Sequence, residues 1–195
     1  MILSRSLLLV MISAATFSAC QTEYTPKPKG YNRLVLPPPI YQVTPDSLPY
    51  FFKYSTYALL KNDTSWVREK HWVEITYPEL KATIHITYKQ LGGSEKLLKE
   101  YLNDAYVLTA KHQIKAYAID ESITKTESGK VAVIAEIDGE VPSQFQVTMT
   151  DSSKNFFRAA LYFNVKVQND SLRPAIEYVK KDMMEMINTL EWKDN

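Results

Sequence analysis

The chain has 195 residues, 45% of them hydrophobic and 23% charged, the make-up of one ordinary globular domain with an added end segment. Its 23 basic and 22 acidic side chains nearly cancel, which argues against a nucleic-acid binder, whose basic excess would gather on one face. The single cysteine, Cys20, excludes a disulfide within the chain and leaves too few thiolates for a cysteine-based metal cluster.

The first element is a leader. Arg5 precedes the apolar run Leu7 to Ile12, which fades into small residues, the n-region, h-region and exit of a secretory signal. The apolar run falls well short of the ~20 residues a permanent membrane span needs. Phe17-Ser18-Ala19-Cys20 resembles a bacterial lipobox, with Phe17 where Leu is usual. In that chemistry the thiol accepts a diacylglyceryl group, and small neighbours admit the signal peptidase. An ordinary cleaved signal with an incidental cysteine is the bland alternative. We therefore expect a signal peptide over residues 1–19 and lipid attachment at Cys20, with the membrane as first partner. Acyl chains contribute ~0.8 kcal/mol per buried CH₂, so the two or three chains of a lipoprotein hold firmly.

Residues 20–40 read as a tether. Pro26 and Pro28 favour extended polyproline geometry at ~3.1 Å per residue. Tyr24, Pro26, Pro28, Lys29, Tyr31 and Arg33 form a candidate docking segment, because tethers of this kind can order on a partner. A featureless solvated spacer is the competing reading. Gln21-Thr22-Glu23 carries no acidic run after the cysteine, so a periplasm-facing position in the cell envelope is expected.

From residue 41 onward a single domain is expected. "HWVEITY" alternates, with Val73, Ile75 and Tyr77 on one face. "ATIHITY" sets Ala82, Ile84, Ile86 and Tyr88 on one face and His85 on the other, so the pair predicts a hairpin with one buried side. Gly92-Gly93-Ser94 breaks the strand and offers Ser94 as a helix N-cap. The following helix carries an apolar stripe of Leu98, Tyr101, Leu102, Ala105, Leu108 and His112.

Four more strands follow, in "KAYAIDESI", "KVAVIAEI", "SQFQVTMT" and "FFRAALYFNVKV". "KVAVIAEI" is apolar on both faces and is expected at the centre of the sheet. In the last strand Phe157, Ala159, Leu161 and Phe163 face opposite Arg158 and Tyr162. A terminal helix opens at Ser171, with Pro174 in its first turn and a stripe of Ile176, Val179, Met183, Met186, Ile187 and Leu190. The fold class expected is α+β, an antiparallel β-sheet flanked by two main helices. This element order resembles the PsbP-like sandwich.

No catalytic constellation stands out. The sequence has no G-x-S-x-G, no H-E-x-x-H and no phosphate-cradling glycine loop. His71, His85 and His112 share no metal-ligand spacing. Glu136 and Asp138 share a strand face but run into the turn at Gly139, where solvated acids are the default. The Met183-Met184-Met186 cluster would suit an adaptable surface, yet its helical positions favour the core. No cofactor, metal or catalytic residue is assigned. A small-ligand or lipid-binding module, suggested by Trp72, Tyr77, Tyr162 and Phe163, is the alternative function.

Four stretches carry a family resemblance: "EYTPKPKGYNRL" after Cys20, "YPELKATIHITYK" at 77–89, "LTAKHQIKA" at 108–116 and "RAALYFNV" at 158–165. Together with the final "LEW" they resemble the gliding motility lipoprotein GldD family of Bacteroidota. The resemblance implies a non-enzymatic, lipid-anchored envelope protein required for surface gliding and tied to type IX protein secretion. Its implied partners are proteins of that machinery. Only Cys20 carries over as a functional position, while Phe17 and Ala159 depart from the residues usual in the family.

Overall fold

The computed structural model describes residues 34–165 and 169–193, with backbone alone for 169–171. Cys20 and the segment from Tyr24 to Arg33 lie outside the described residues.

The body is built on a seven-stranded antiparallel sheet. In chain order its strands are β4 (Leu59–Asn62), β5 (Val73–Tyr77), β6 (Ala82–Gln90), β7 (Ala116–Lys125), β8 (Val131–Gly139), β9 (Phe145–Thr150) and β10 (Asn155–Phe163). Their spatial order is β4-β5-β6-β10-β9-β8-β7. The expected hairpin is β5–β6, in register from Val73↔Ile86 to Tyr77↔Ala82. Val73, Ile75, Tyr77, Ile84, Ile86 and Tyr88 are all buried, because period-2 alternation sends them to one face.

Helix α1 (Glu95–Ala110) covers one face of this sheet and helix α2 (Asn169–Asn188) the other. Ser94 caps α1 as expected, accepting the Leu97 N–H at 3.3 Å. Two ribbons complete the α2 layer: β1 (Tyr41–Val43) with β3 (Lys53–Ser55), and β2 (Tyr50–Phe51) with β11 (Glu191–Trp192). The main core lies between α2 and the sheet. There Tyr50 and Phe52 stack at 5.7 Å, and Phe157 meets both edge-on. Met183 and Met186 are buried in this core, so the methionines pack and do not form a surface.

Three expectations are corrected. The centre of the sheet belongs to β10, while β8 lies one strand from the edge. Ala132 and Ile134 of β8 face the main core, but α1 covers the other face incompletely and leaves Val131 53% exposed. The buried seam of α1 runs through Ala105 and Thr109, not Leu108, which is 41% exposed. Helix α2 starts at Asn169, two residues before Ser171, so Pro174 falls in the second turn and removes one helical N–H there.

Candidate functional site

Strand alternation decides what lies under α1. Register pairs Gln146 with Ala135 and with Ala160, and Thr148 with Val133 and with Arg158. All six therefore share the α1 face of the sheet. Helix α1 is anchored at one end by Leu98 and Tyr101 against Leu91 and Phe156. Towards β7 it stands away, leaving a groove of about 100 Å³. Leu102, Ala105, Tyr106 and Thr109 form the helical wall, and Glu121, Val133, Ala135, Gln146 and Thr148 form the floor. The groove is well below the ~300–1,000 Å³ typical of small-molecule pockets.

A polar chain closes its inner end. Arg158 Nη2 donates to Gln146 Oε1 at 2.5 Å, and Gln146 Nε2 donates to Ser143 Oγ at 3.1 Å. Thr109 Oγ1 lies 3.1 Å from Ala105 O and 3.0 Å from Gln146 Oε1, one proton between two acceptors. Burial lowers the Arg158 pKa, an effect opposed by Tyr162. Burial likewise lowers His112, with the Arg158 charge adding to it. Among the described residues Arg158 has no carboxylate partner, so its role visible here is to hold Gln146 and the α1 seam.

A second polar centre lies on the other face. Asp182 of α2 is 3% exposed. Its Oδ2 accepts the Tyr77 hydroxyl at 2.9 Å and its Oδ1 accepts the Tyr41 hydroxyl at 3.1 Å. Burial raises the Asp182 pKa, while the hydrogen bonds from Tyr77, Tyr41 and Ser55 work the other way. Burial and the adjacent carboxylate push both tyrosines up. This is a lock between α2, β1 and β5.

The profile of the family described as "Gliding motility lipoprotein GldD" matches residues 21–192, nearly the whole chain. The chain belongs to that family. Membership of a lipoprotein family implies membrane anchoring in the cell envelope. No curated protein matches the chain. Among solved structures, cyanobacterial PsbP (CyanoP) from Synechocystis sp. PCC 6803 is similar at 10% identity and a TM-score of 0.41, covering 83% of this chain and 97% of that one. The α+β assignment rests on the topology described above. Among the described residues, no helix is long and apolar enough to cross a membrane.

The histidines of this GldD-family chain are dispersed. His85 Nδ1 sits 3.2 Å from Glu74 on the α1 face, His71 lies in the β4–β5 loop, and His112 follows α1. No group of three or more His, Cys, Asp or Glu side chains is placed to hold a metal among the described residues. The four aromatics behind the ligand-binding alternative do not line one cavity. Tyr77 and Phe163 are in the packed core, Trp72 Nε1 donates to Tyr88 O at 2.9 Å, and Tyr162 meets the His85 ring at 5.4 Å. Sequence reading missed Asp182 and the Gln146–Arg158 chain. Their signal was present, in a lone acid beside the α2 stripe and a lone base within "FFRAALYF".

Proposed function

We propose that this is a non-enzymatic, lipid-anchored protein of the cell envelope that serves gliding motility and the associated type IX secretion by docking to partner proteins. The observation that carries the reading is the family match beginning at residue 21, immediately after the single cysteine. In this reading residues 1–19 are removed, Cys20 carries the lipid, and residues 20–40 tether a periplasm-facing domain over 41–195. Tyr24, Pro26, Pro28, Lys29, Tyr31 and Arg33 are the docking segment. The body is consistent with the reading: Asp182 and Gln146 are hydrogen-bonded within the fold, and the groove beside α1 is small.

The test is Cys20→Ala in a gliding host, followed by fractionation, colony spreading and assay of secreted cargo. The protein should move to the soluble fraction, with spreading and secretion lost. Normal spreading with the protein in the soluble fraction would overturn the tethering mechanism. Scrambling residues 24–33 in the same assay separates docking from spacing, since retained spreading would remove the docking role.

A further inference from the structure

The most exposed large apolar side chain in the described body is Trp66, at 94%, and its neighbour Val67 is 48% exposed. Both lie in the loop joining β4 and β5, and the loop is closed by its own hydrogen bonds. Asp63 N–H donates to Trp72 O at 3.0 Å, Asp63 Oδ1 accepts the Ser65 N–H at 2.7 Å, and Arg68 N–H donates to Ser65 O at 3.2 Å. The exposed indole therefore sits on a hydrogen-bonded turn. Its charged neighbours differ in their pairing. Glu69 is paired with Lys89, whereas Arg68 and Lys70 are exposed and form no ion pair among the described residues.

We propose that this loop is a second membrane contact, with Trp66 and Val67 entering the interface of an anionic bilayer and Arg68 and Lys70 meeting its phosphates. Indole prefers the headgroup level of a bilayer, where its apolar body and its N–H are both accommodated. Basic residues beside it are drawn to anionic lipid. Two apolar side chains and two cations make a weak contact on their own. The inference rests on the anchored reading, because a tether converts that contact into an intramolecular one at high effective concentration.

Reach does not forbid it. The chain enters β1 beside Thr56, whose N–H donates to Ile40 O, at the end of β4 and β5 away from this loop. Nine-residue strands such as β6 and β10 span ~30 Å. Cys20 and Arg33 are thirteen residues apart, a reach of ~40 Å when extended. Engaging the loop would fix which way the domain faces on its membrane.

The full lipidated chain is reconstituted into phosphatidylethanolamine–phosphatidylglycerol vesicles with and without brominated acyl chains, and tryptophan emission is read after flotation. Flotation reports the anchor, and quenching reports the loop. The expected result is emission lowered by bromine in the wild type, little change in Trp66→Phe, and restored emission in Arg68→Glu/Lys70→Glu. Trp72 and Trp192 are only part-exposed and supply the internal background. Floated wild-type protein with equal emission in both vesicles would overturn the proposal and leave the anchor standing. So would quenching that persists in Trp66→Phe. Emission that changes only after a partner protein is added, and equally in both vesicles, would replace the bilayer by that partner, and the proposal would fall. Protein that fails to float would instead bring down the anchored reading and, with it, the tethered contact.

Discussion

Replacing Asp182 tests how the α2 layer is held. The carboxylate takes the hydroxyls of Tyr77 and Tyr41, which belong to β5 and β1. Asp182→Ala leaves the Tyr77 hydroxyl, on a residue 0% exposed, without its acceptor. An orphaned buried donor costs about 1–3 kcal/mol, and hydrogen bonds to a charged group contribute about 1.5–3. Removing a desolvated acid offsets part of this, so a net loss of about 3 kcal/mol is expected. For a body of this size that is a Tm lower by about 6–12 °C. Asp182→Asn keeps an acceptor and should cost about 1 kcal/mol. The pH dependence has a definite sign. The folded pKa of Asp182 is raised, so the fold binds its proton more tightly than the unfolded chain does. This group's contribution is most favourable below the unfolded pKa and declines as pH rises through the folded one. Asp182→Asn should remove that decline. Urea unfolding at several pH values, with Tyr77→Phe completing a double-mutant cycle, gives each number. An Asp182→Ala cost below about 1 kcal/mol, or equal costs for Ala and Asn at neutral pH, would refute the lock.

Two further predictions concern turns. Burial pushes the Asp151 carboxyl up, but N–H donors from Asn155, Ser153 and Lys154 and the Asn155 side chain outweigh it, taking the pKa from 3.8 to about 2. A depressed acid stabilises above its unfolded pKa, and that contribution disappears as pH falls from 3.8 through about 2. Discounted for solvent screening it is about 1–2 kcal/mol, and acid unfolding of Asp151→Asn compared with wild type should show it missing. Gly139 has φ +129°, and a Cβ there would lie 2.6 Å from Lys115 O and 2.8 Å from Ala116 Cα. Both contacts are backbone, so Gly139→Ala should separate the start of β7 from β8, costing about 2 kcal/mol or more, with faster amide exchange over 116–119.

Much of the fold was legible because it follows from short periods. The β5–β6 hairpin, the Ser94 cap and the alternating faces of β10 each depend on residues within a few positions of one another. The order of strands does not. "KVAVIAEI" is apolar on both faces, but periodicity reports only that both faces need cover, not which neighbour supplies it. Glu136 of β8 finds Lys180 of α2, and Val133 opens onto the groove beside α1, so a strand near the edge satisfies the pattern. The α1 seam was displaced for a related reason. Thr109 is buried because Gln146, thirty-seven residues away, receives its hydroxyl, a pairing no helical stripe reveals. Long-range polar contacts of this sort, including Asp182 with Tyr77, were the part that residue spacing could not supply.

The uses to which the body puts its acids bear on the non-enzymatic reading. A general acid or base must exchange its proton with a bound substrate within hydrogen-bond reach. The two acids whose pKa values depart from the ordinary range are otherwise engaged. Asp182 is enclosed by hydroxyls from three elements, and Asp151 is enclosed by N–H donors of its own turn. Perturbed titration often marks a catalytic site, but structural networks perturb it equally, and surroundings decide between them. Here neither acid lines the groove beside α1, where Glu121 is the one carboxylate among the lining residues. The most exposed large apolar side chain, Trp66, lies outside that groove, beside the exposed Val67, Arg68 and Lys70. An exposed loop of that composition is suited to association, the kind of activity proposed above.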